Sequence, residues 1–319
     1  MRLPRSPLRA AEDVASLAGF LARRDARERD DIAALADLAG RPLPLARGLE
    51  LEWLGTAAYR VTYEGRTLLI DPYLTRVPLG AVLRREPALP DPALHDRLLG
   101  GGLGDVAGIL VGHTHFDHAV DVPALARSLD APAYGSTSLA HLMALHGLAD
   151  RAVAVEAHRS YDIGPFTVRF APSLHSKLLL GWRVPFDGAL TCDHLEGLTP
   201  AAYRCGPIYG IRVEVAGTTL YHQGSANLID DEVPRGGVDV FLAGIAGRRF
   251  TADYWGRILR RLEPAVVVAS HFDDFFRPLA APLGFSTNVN LAGFGDEVHA
   301  VSPDIGVAAL EPLAPAPAA

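Results

Sequence analysis

The sequence predicts an α/β fold arranged as two successive halves, and three observations carry that expectation. Short apolar runs rich in β-branched residues alternate with segments of helical periodicity. The alternation occurs twice along the chain. Histidines and aspartates cluster where the apolar runs stop, as binding residues do when a rigid scaffold positions loops. With 319 residues and 49% hydrophobic content, the chain can bury a substantial core.

Taken in order, residues 8–40 carry Leu8, Val14, Leu17, Phe20, Leu21, Ile32, Leu35 and Leu38, mostly three or four apart, with charged residues between. That spacing predicts two amphipathic helices broken near residues 25–29, in a helical extension over 1–48 that precedes a domain at 49–311. Residues 51–63 and 67–70 read as strands joined at the turn Glu64-Gly65, and 107–111 as another strand. A helix is expected over 121–129, strands at 133–134, 152–155 and 166–170, and a helix at 138–146. The second half runs through strands at 208–215 and 218–222 around the turn Ala216-Gly217, then 238–243, a helix at 252–262 and a strand at 266–269. Gly100 to Gly104 precede a strand instead of opening a helix after one, so they read as a turn and not as a phosphate loop. The Pro/Ala-rich residues 312–319 are expected to form a disordered tail.

The strand at 107–111 runs straight into His113-Thr-His115-Phe-Asp117-His118. Side chains two apart in an extended segment point the same way. His113 and His115 would therefore share a side, about 6–7 Å apart along the backbone and within reach of one ion. Asp117 and His118 are adjacent, face differently, and would suit a second ion. Neutral imidazole fits Zn²⁺ and other late first-row dications, and a carboxylate adds charge to the site.

This H-x-H-x-D-H run resembles the signature of the metallo-β-lactamase superfamily. The likeness extends over residues 49–305: the strands around Glu64-Gly65 ending in Asp71-Pro-Tyr73, a lone histidine at His175, and another at His271 after Val266-Val-Val-Ala-Ser. The resemblance implies an αββα sandwich, with two sheets face to face, helices outside and metals along one edge. It also implies that His113, His115 and His175 hold one ion and Asp117, His118 and His271 a second, with Asp71 orienting a ligand histidine. Within the superfamily, the segments around Tyr59–Gly65 and His115–Pro123 are most similar to the ascorbate-6-phosphate lactonase and N-acylphosphatidylethanolamine phospholipase D branch.

One position departs from the pattern. Where the superfamily has Gly-Asp-Thr, with an aspartate bridging two metals, this chain has Gly224-Ser225-Ala226. A neutral hydroxyl does not offset the repulsion between two dications as a carboxylate does. One ion or two thus stays open. His222, Gln223, Asp230 and Asp231 are either replacements for the bridge or ordinary strand and loop residues.

Composition excludes several classes. The net charge of −7 argues against a broad nucleic-acid footprint. No apolar run reaches the ~20 residues that span a bilayer, and residues 1–7 do not resemble a signal peptide. Cys192 and Cys205 are too few for a disulfide framework, which suits a reducing cytoplasm. The Cys192-Asp-His194 run reads as incidental. Oligomerisation is left open.

The expected chemistry is metal-assisted hydrolysis, with Asp117 accepting a proton from the attacking water or orienting it. The bond would belong to a phosphodiester, lactone or ester of a small or lipid-like molecule, more than to a β-lactam. Selection would lie between His175 and Gly206. The apolar residues 178–188 and the run from Phe272 to Arg277 either wall the pocket or are buried connectors. The alternative reading is a metal-binding protein whose catalysis faded with the bridging aspartate.

Overall fold

Sheet formation begins with two hairpins whose turns the sequence marks. Glu64 and Gly65 both have positive φ (49° and 74°), as do Ala216 and Gly217 (51° and 83°). This is the turn geometry whose twist matches that of antiparallel strands. Around the first turn lie β1 (Glu50–Gly55), β2 (Ala58–Tyr63) and β3 (Arg66–Ile70); β4 (Asp105–Leu110), β5 (Ala133–Gly135) and β6 (Ala152–Ala154) follow in parallel, giving a six-stranded sheet in sequence order. The computed structural model describes residues 24–99, 105–178, 181–287 and 289–318.

The second half repeats this plan. β7 (Ser160–Ile163), β8 (Phe166–Pro172), β9 (Tyr209–Val215) and β10 (Thr218–Gln223) are antiparallel neighbours. β11 (Val240–Gly244), β12 (Val266–Ser270) and β13 (Gly306–Ala309) continue in parallel, completing seven strands. Parallel strands need crossover connections, and helices supply most of them.

Alternation along the strands sorts the core into layers. Leu68 and Ile70 join Phe166, Phe170, Val213 and Leu220 in a cluster between the sheets. Leu69, Ile109 and Val111 turn the other way, toward Leu125 of α5 (Val122–Ser128) and Leu139 and Leu142 of α6 (Thr137–Leu145). Ile258, Leu259 and Leu262 of α7 (Tyr254–Leu262) pack in the first cluster. The fold is the α/β sandwich of two sheets with outer helices that the resemblance implied.

Three expectations need correction or fall elsewhere. The helix α1 (Arg24–Ala39) runs unbroken through residues 25–29. After Asp25 in the first turn, Ala26, Arg27, Glu28 and Arg29 are good helix formers with no Gly or Pro, so polarity alone does not stop the helix. Leu35 and Leu38 are buried, whereas Ile32 faces solvent; Asp31 is buried and accepts a hydrogen bond from the Ala292 amide (2.8 Å). The helix expected upstream lies outside the described residues, as does the turn expected at 100–104. The tail is not disordered over 312–318. Leu313 N donates to Trp53 O (2.8 Å), Ala316 N to Leu51 O (2.7 Å) and Leu43 N to Pro317 O (2.8 Å), so the segment lies along β1. Proline favours extended backbone, and an edge position does not require every N–H.

The sequence reading also passed over α2 (Leu79–Arg84), α3 (Pro92–Leu99), α8 (Phe294–His299) and β13. The helix before α5, α4 (Phe116–Ala119), is one turn long and carries half the metal-capable motif.

Candidate metal centre

The site forms where strands of both sheets end. Asp71 follows β3 in a left-handed conformation (φ 44°), fixed by its amide bond to Leu110 O (2.8 Å). Its Oδ1 accepts the Gly112 amide (2.6 Å), which ties the end of β3 to the loop leaving β4. His271 follows β12 directly, also left-handed (φ 56°), and its amide donates to Thr56 O (2.7 Å). Such backbone costs about 1 kcal/mol or more in a non-glycine residue and persists only where surrounding bonds over-determine it.

The chain brings six side chains into two adjoining triads. His113, His115 and His175 have ring centroids 4.8, 4.7 and 5.0 Å apart. Asp117, His118 and His271 form the other, with Asp117 Oδ2 3.3 Å from His271 Nε2 and 3.8 Å from His118 Nε2. In each triad the potential ligand atoms lie within 4.8 Å of one another. The rings of His113 and His118, 3.9 Å apart, join the triads.

Outer hydrogen bonds fix which nitrogen faces inward in three of the rings. His118 Nδ1 donates to Asp71 Oδ2 (2.8 Å), which leaves the Nε2 lone pair toward Asp117. His115 Nε2 donates to Pro185 O (3.0 Å), leaving Nδ1 3.1 Å from His113 Nε2. His175 Nδ1 donates to Ser176 O (2.7 Å). Ligand histidines are held in this way in metal sites, because the outer bond selects the tautomer and raises basicity.

The donor set fits a dication. His118 Nε2, which faces Asp117, is buried with no hydrogen-bond partner, an arrangement that otherwise costs about 1–3 kcal/mol. Burial pushes His113 well below the ordinary histidine range, and takes His115 down to about 4 and His175 to about 3. These rings are neutral with lone pairs free. Burial would raise Asp117, but the neighbouring His118 and His271 outweigh it and hold the carboxylate ionised, well below the usual carboxylate range. Burial likewise opposes charge on His118, yet the Asp71 and Asp117 carboxylates raise it overall.

Gly224 makes the crowding possible. A Cβ there would stand 2.8 Å from His118 Cε1 and 3.0 Å from Asp71 Oδ2. Next to it, Ser225 Oγ accepts the Ser176 amide (2.9 Å). The four residues considered as replacements for the bridging carboxylate are engaged elsewhere. His222 Nε2 donates to Ala57 O (2.9 Å), Gln223 to Ser173 Oγ (3.1 Å), and Asp230 and Asp231 pair with Arg257 (2.6 Å) and Arg261 (2.7 Å).

The two aromatic runs divide between wall and core. Phe186 meets the His115 ring edge-on (centroids 6.3 Å), and Phe275 meets His271 (5.5 Å). Phe272 instead sits fully buried against Trp53 (4.6 Å). A buried Arg76–Asp273 ion pair (2.8 Å) lies beneath, and Asp273 also accepts the Thr56 amide (2.9 Å). The sequence reading missed that pair; its signal was an aspartate two residues after His271 with no motif to explain it. Both cysteines are free, and Cys192 and His194 join no metal-capable group among the described residues.

The profile of the β-lactamase superfamily domain matches residues 50–271. The chain belongs to that superfamily. A UPF0173 metal-dependent hydrolase of Cupriavidus necator is 30% identical over 271 residues, covering 80% of this chain and 81% of that protein. One of Carboxydothermus hydrogenoformans is 26% identical, covering 71% and 86%. A shorter match, to a relative in Cupriavidus taiwanensis, is 37% identical over 42% of this chain and 45% of that protein. Among solved structures, the metallo hydrolase Igni18 of Ignicoccus hospitalis aligns with a TM-score of 0.52 at 18% identity, over 84% of this chain and 97% of that one. A possible metal-dependent hydrolase of Veillonella parvula gives 0.52 at 18% identity, over 85% and 99%. The two solved structures establish the superfamily fold; the curated relatives place the chain among proteins named metal-dependent hydrolases.

Proposed function

We propose that this superfamily member is a two-ion metal-dependent hydrolase of a phosphodiester, lactone or ester that carries an apolar group. His113, His115 and His175 would hold one ion, and Asp117, His118 and His271 the other, with zinc the first choice for so imidazole-rich a set. The observation that carries the reading is His118 Nε2: buried, unpartnered, beside an ionised Asp117, and held in the metal-binding tautomer by Asp71.

The ions would supply Lewis acidity, which brings the ionisation of water down to near neutral pH. The chain's own groups do the rest. Asp117 Oδ2 stays ionised well below the usual carboxylate range, which suits it to orient the attacking water more than to take its proton. Asp71 keeps His118 from turning. Phe186 and Phe275 stand against His115 and His271 and would offer contact to an apolar group. The likeness to the lactonase and phospholipase D branch supports an ester-like bond over a β-lactam. Free cysteines fit a reducing cytoplasm, and no helix among the described residues is long and apolar enough to cross a membrane.

Elemental analysis of purified protein should find about two transition-metal ions per chain, and His113→Ala with His115→Ala should lose at least the ion of the first triad. A panel of nitrophenyl esters of rising acyl length, lactones, bis-nitrophenyl phosphate and penicillins should show turnover outside the penicillins. An unchanged metal content in the double variant would sink the ligand assignment. Ser225, with its hydroxyl engaged by Ser176 at the position of the bridging carboxylate, favours a second reading as a metal-binding protein without catalysis. Full metal loading with no turnover anywhere on the panel would select it.

A further inference from the structure

A cavity of about 630 Å³ opens beside the first triad, within the range of small-molecule sites. Leu178, Val184, Pro185 and Phe186 give it apolar walls, and Arg183 and Arg204 line it as well. Three hydrogen bonds hang this cavity on the metal-capable loop. His115 Nε2 donates to Pro185 O (3.0 Å), Thr114 Oγ1 donates to Arg204 O (2.6 Å), and Thr114 N donates to Cys205 O (3.0 Å). Thr114 lies between His113 and His115, so these bonds tie the cavity wall to two members of the first triad.

The charges in the cavity are unbalanced. Arg204 gives one N–H to the backbone oxygen of Asp187 (2.9 Å) and keeps the rest of its five donors. No carboxylate pairs with Arg183 or Arg204 among the described residues. Asp187 is the acidic group on the wall, and its Oδ1 is taken by the Gly188 amide (2.8 Å) and the Cys205 thiol (3.6 Å). Two arginines thus line the cavity against one carboxylate, whose Oδ1 is already bonded to Gly188 and Cys205. Arginine forks match carboxylate, phosphate and sulfonate oxygens.

We propose that this cavity is the specificity pocket for a substrate with an apolar stem that ends in an anionic group. The scissile bond would lie at the triads and the anion on Arg183 and Arg204, with Phe186 between them touching both the stem and His115. The placement of the scissile bond rests on the hydrolytic reading above; the anion-reading pocket does not. Selection is then by the far end of the molecule, since the apolar walls grip any stem of suitable size and only the arginines distinguish a charged terminus.

The test uses the metal-loaded full chain and hexanesulfonate, a fixed anion that is a poor metal ligand, with hexanol as the neutral match. Titration is followed by calorimetry and by the fluorescence of Trp182, which is 69% exposed beside Arg183 while Trp53 and Trp255 are buried. The sulfonate should bind at least tenfold more tightly than the alcohol. Arg183→Gln with Arg204→Gln should remove that tenfold preference and leave metal content and the circular-dichroism spectrum unchanged. Arg183→Lys with Arg204→Lys should restore part of it. Equal binding of the two probes, no binding of either, or a preference that survives in the glutamine variant would each overturn the proposal. Failure of the ester and phosphodiester panel would instead overturn the hydrolytic reading and leave these binding results standing.

Discussion

Replacing Asp71 by asparagine tests the tautomer argument at its root. The carboxylate has two jobs: Oδ1 accepts the Gly112 amide at 2.6 Å, and Oδ2 accepts His118 Nδ1 at 2.8 Å. An amide has one acceptor oxygen and one donor nitrogen. If the oxygen stays on Gly112, the NH₂ faces His118, whose ring must move its proton to Nε2 and so loses the lone pair aimed at Asp117. If the amide turns over, Gly112 loses its acceptor and the β4 loop loosens. Either way one hydrogen bond to a charged group is lost, at a cost of about 1.5–3 kcal/mol. That corresponds to roughly 10–150-fold in affinity, close to the 10–100-fold typical of losing an outer partner of a ligand histidine. The fold should survive, since asparagine tolerates the left-handed backbone found at position 71. Competition against a chromophoric chelator gives the metal affinity, and circular dichroism reports the fold. A folded variant with affinity within twofold of wild type would refute the reasoning.

Two further outcomes follow from the crowding and burial of the site. Gly224→Ala would press a methyl group within 3.0 Å of His118 and Asp71; about 1–3 kcal/mol of stability should be lost, with weaker metal binding, and an unchanged urea midpoint would contradict the packing. In chelator-treated protein, burial keeps His113, His115 (about 4) and His175 (about 3) below their unfolded value near 6.5. They bind fewer protons folded than unfolded, so their contribution to stability is present above about pH 6.5 and lost as pH falls toward 4 and 3. His118, raised against burial by Asp71 and Asp117, contributes in the opposite sense: its share is present below about 6.5 and lost as pH rises through its folded value. Three groups outnumber one, so the urea midpoint should fall as the pH drops from about 7.5 to about 5, and a flat or rising midpoint would argue against neutral buried rings.

Local signals made most of the framework legible. The two-residue turns at Glu64-Gly65 and Ala216-Gly217 gave both hairpins, because positive φ at consecutive positions leaves a mark in composition. The histidine run after β4 announced itself by spacing. Tertiary pairings left no such mark: Arg76 and Asp273 are far apart in sequence, and their pairing shows only when β1 carries Thr56 to Asp273. Helix α1 was misread because a run of charges was taken for a break, whereas backbone propensity continued through it. The cavity beside His115 was only half visible. Its apolar walls lay in a stretch without period, and Arg183 comes near Arg204 only because Cys205 N donates to Phe186 O and Arg204 to Asp187 O across the loop.

The prolines of residues 312–318 have a consequence for how the molecule meets its own copies. A sheet edge with free amides and carbonyls invites a strand from another chain. On β1, Leu51 O and Trp53 O are already taken by Ala316 N and Leu313 N. The segment that takes them cannot pass the ladder on with the same strength, because Pro312, Pro315 and Pro317 have no N–H to offer a further strand. It is a terminator as much as a cover. The β1 edge is satisfied from within the chain and presents outward a backbone poor in donors, which guards that edge against pairing with another chain.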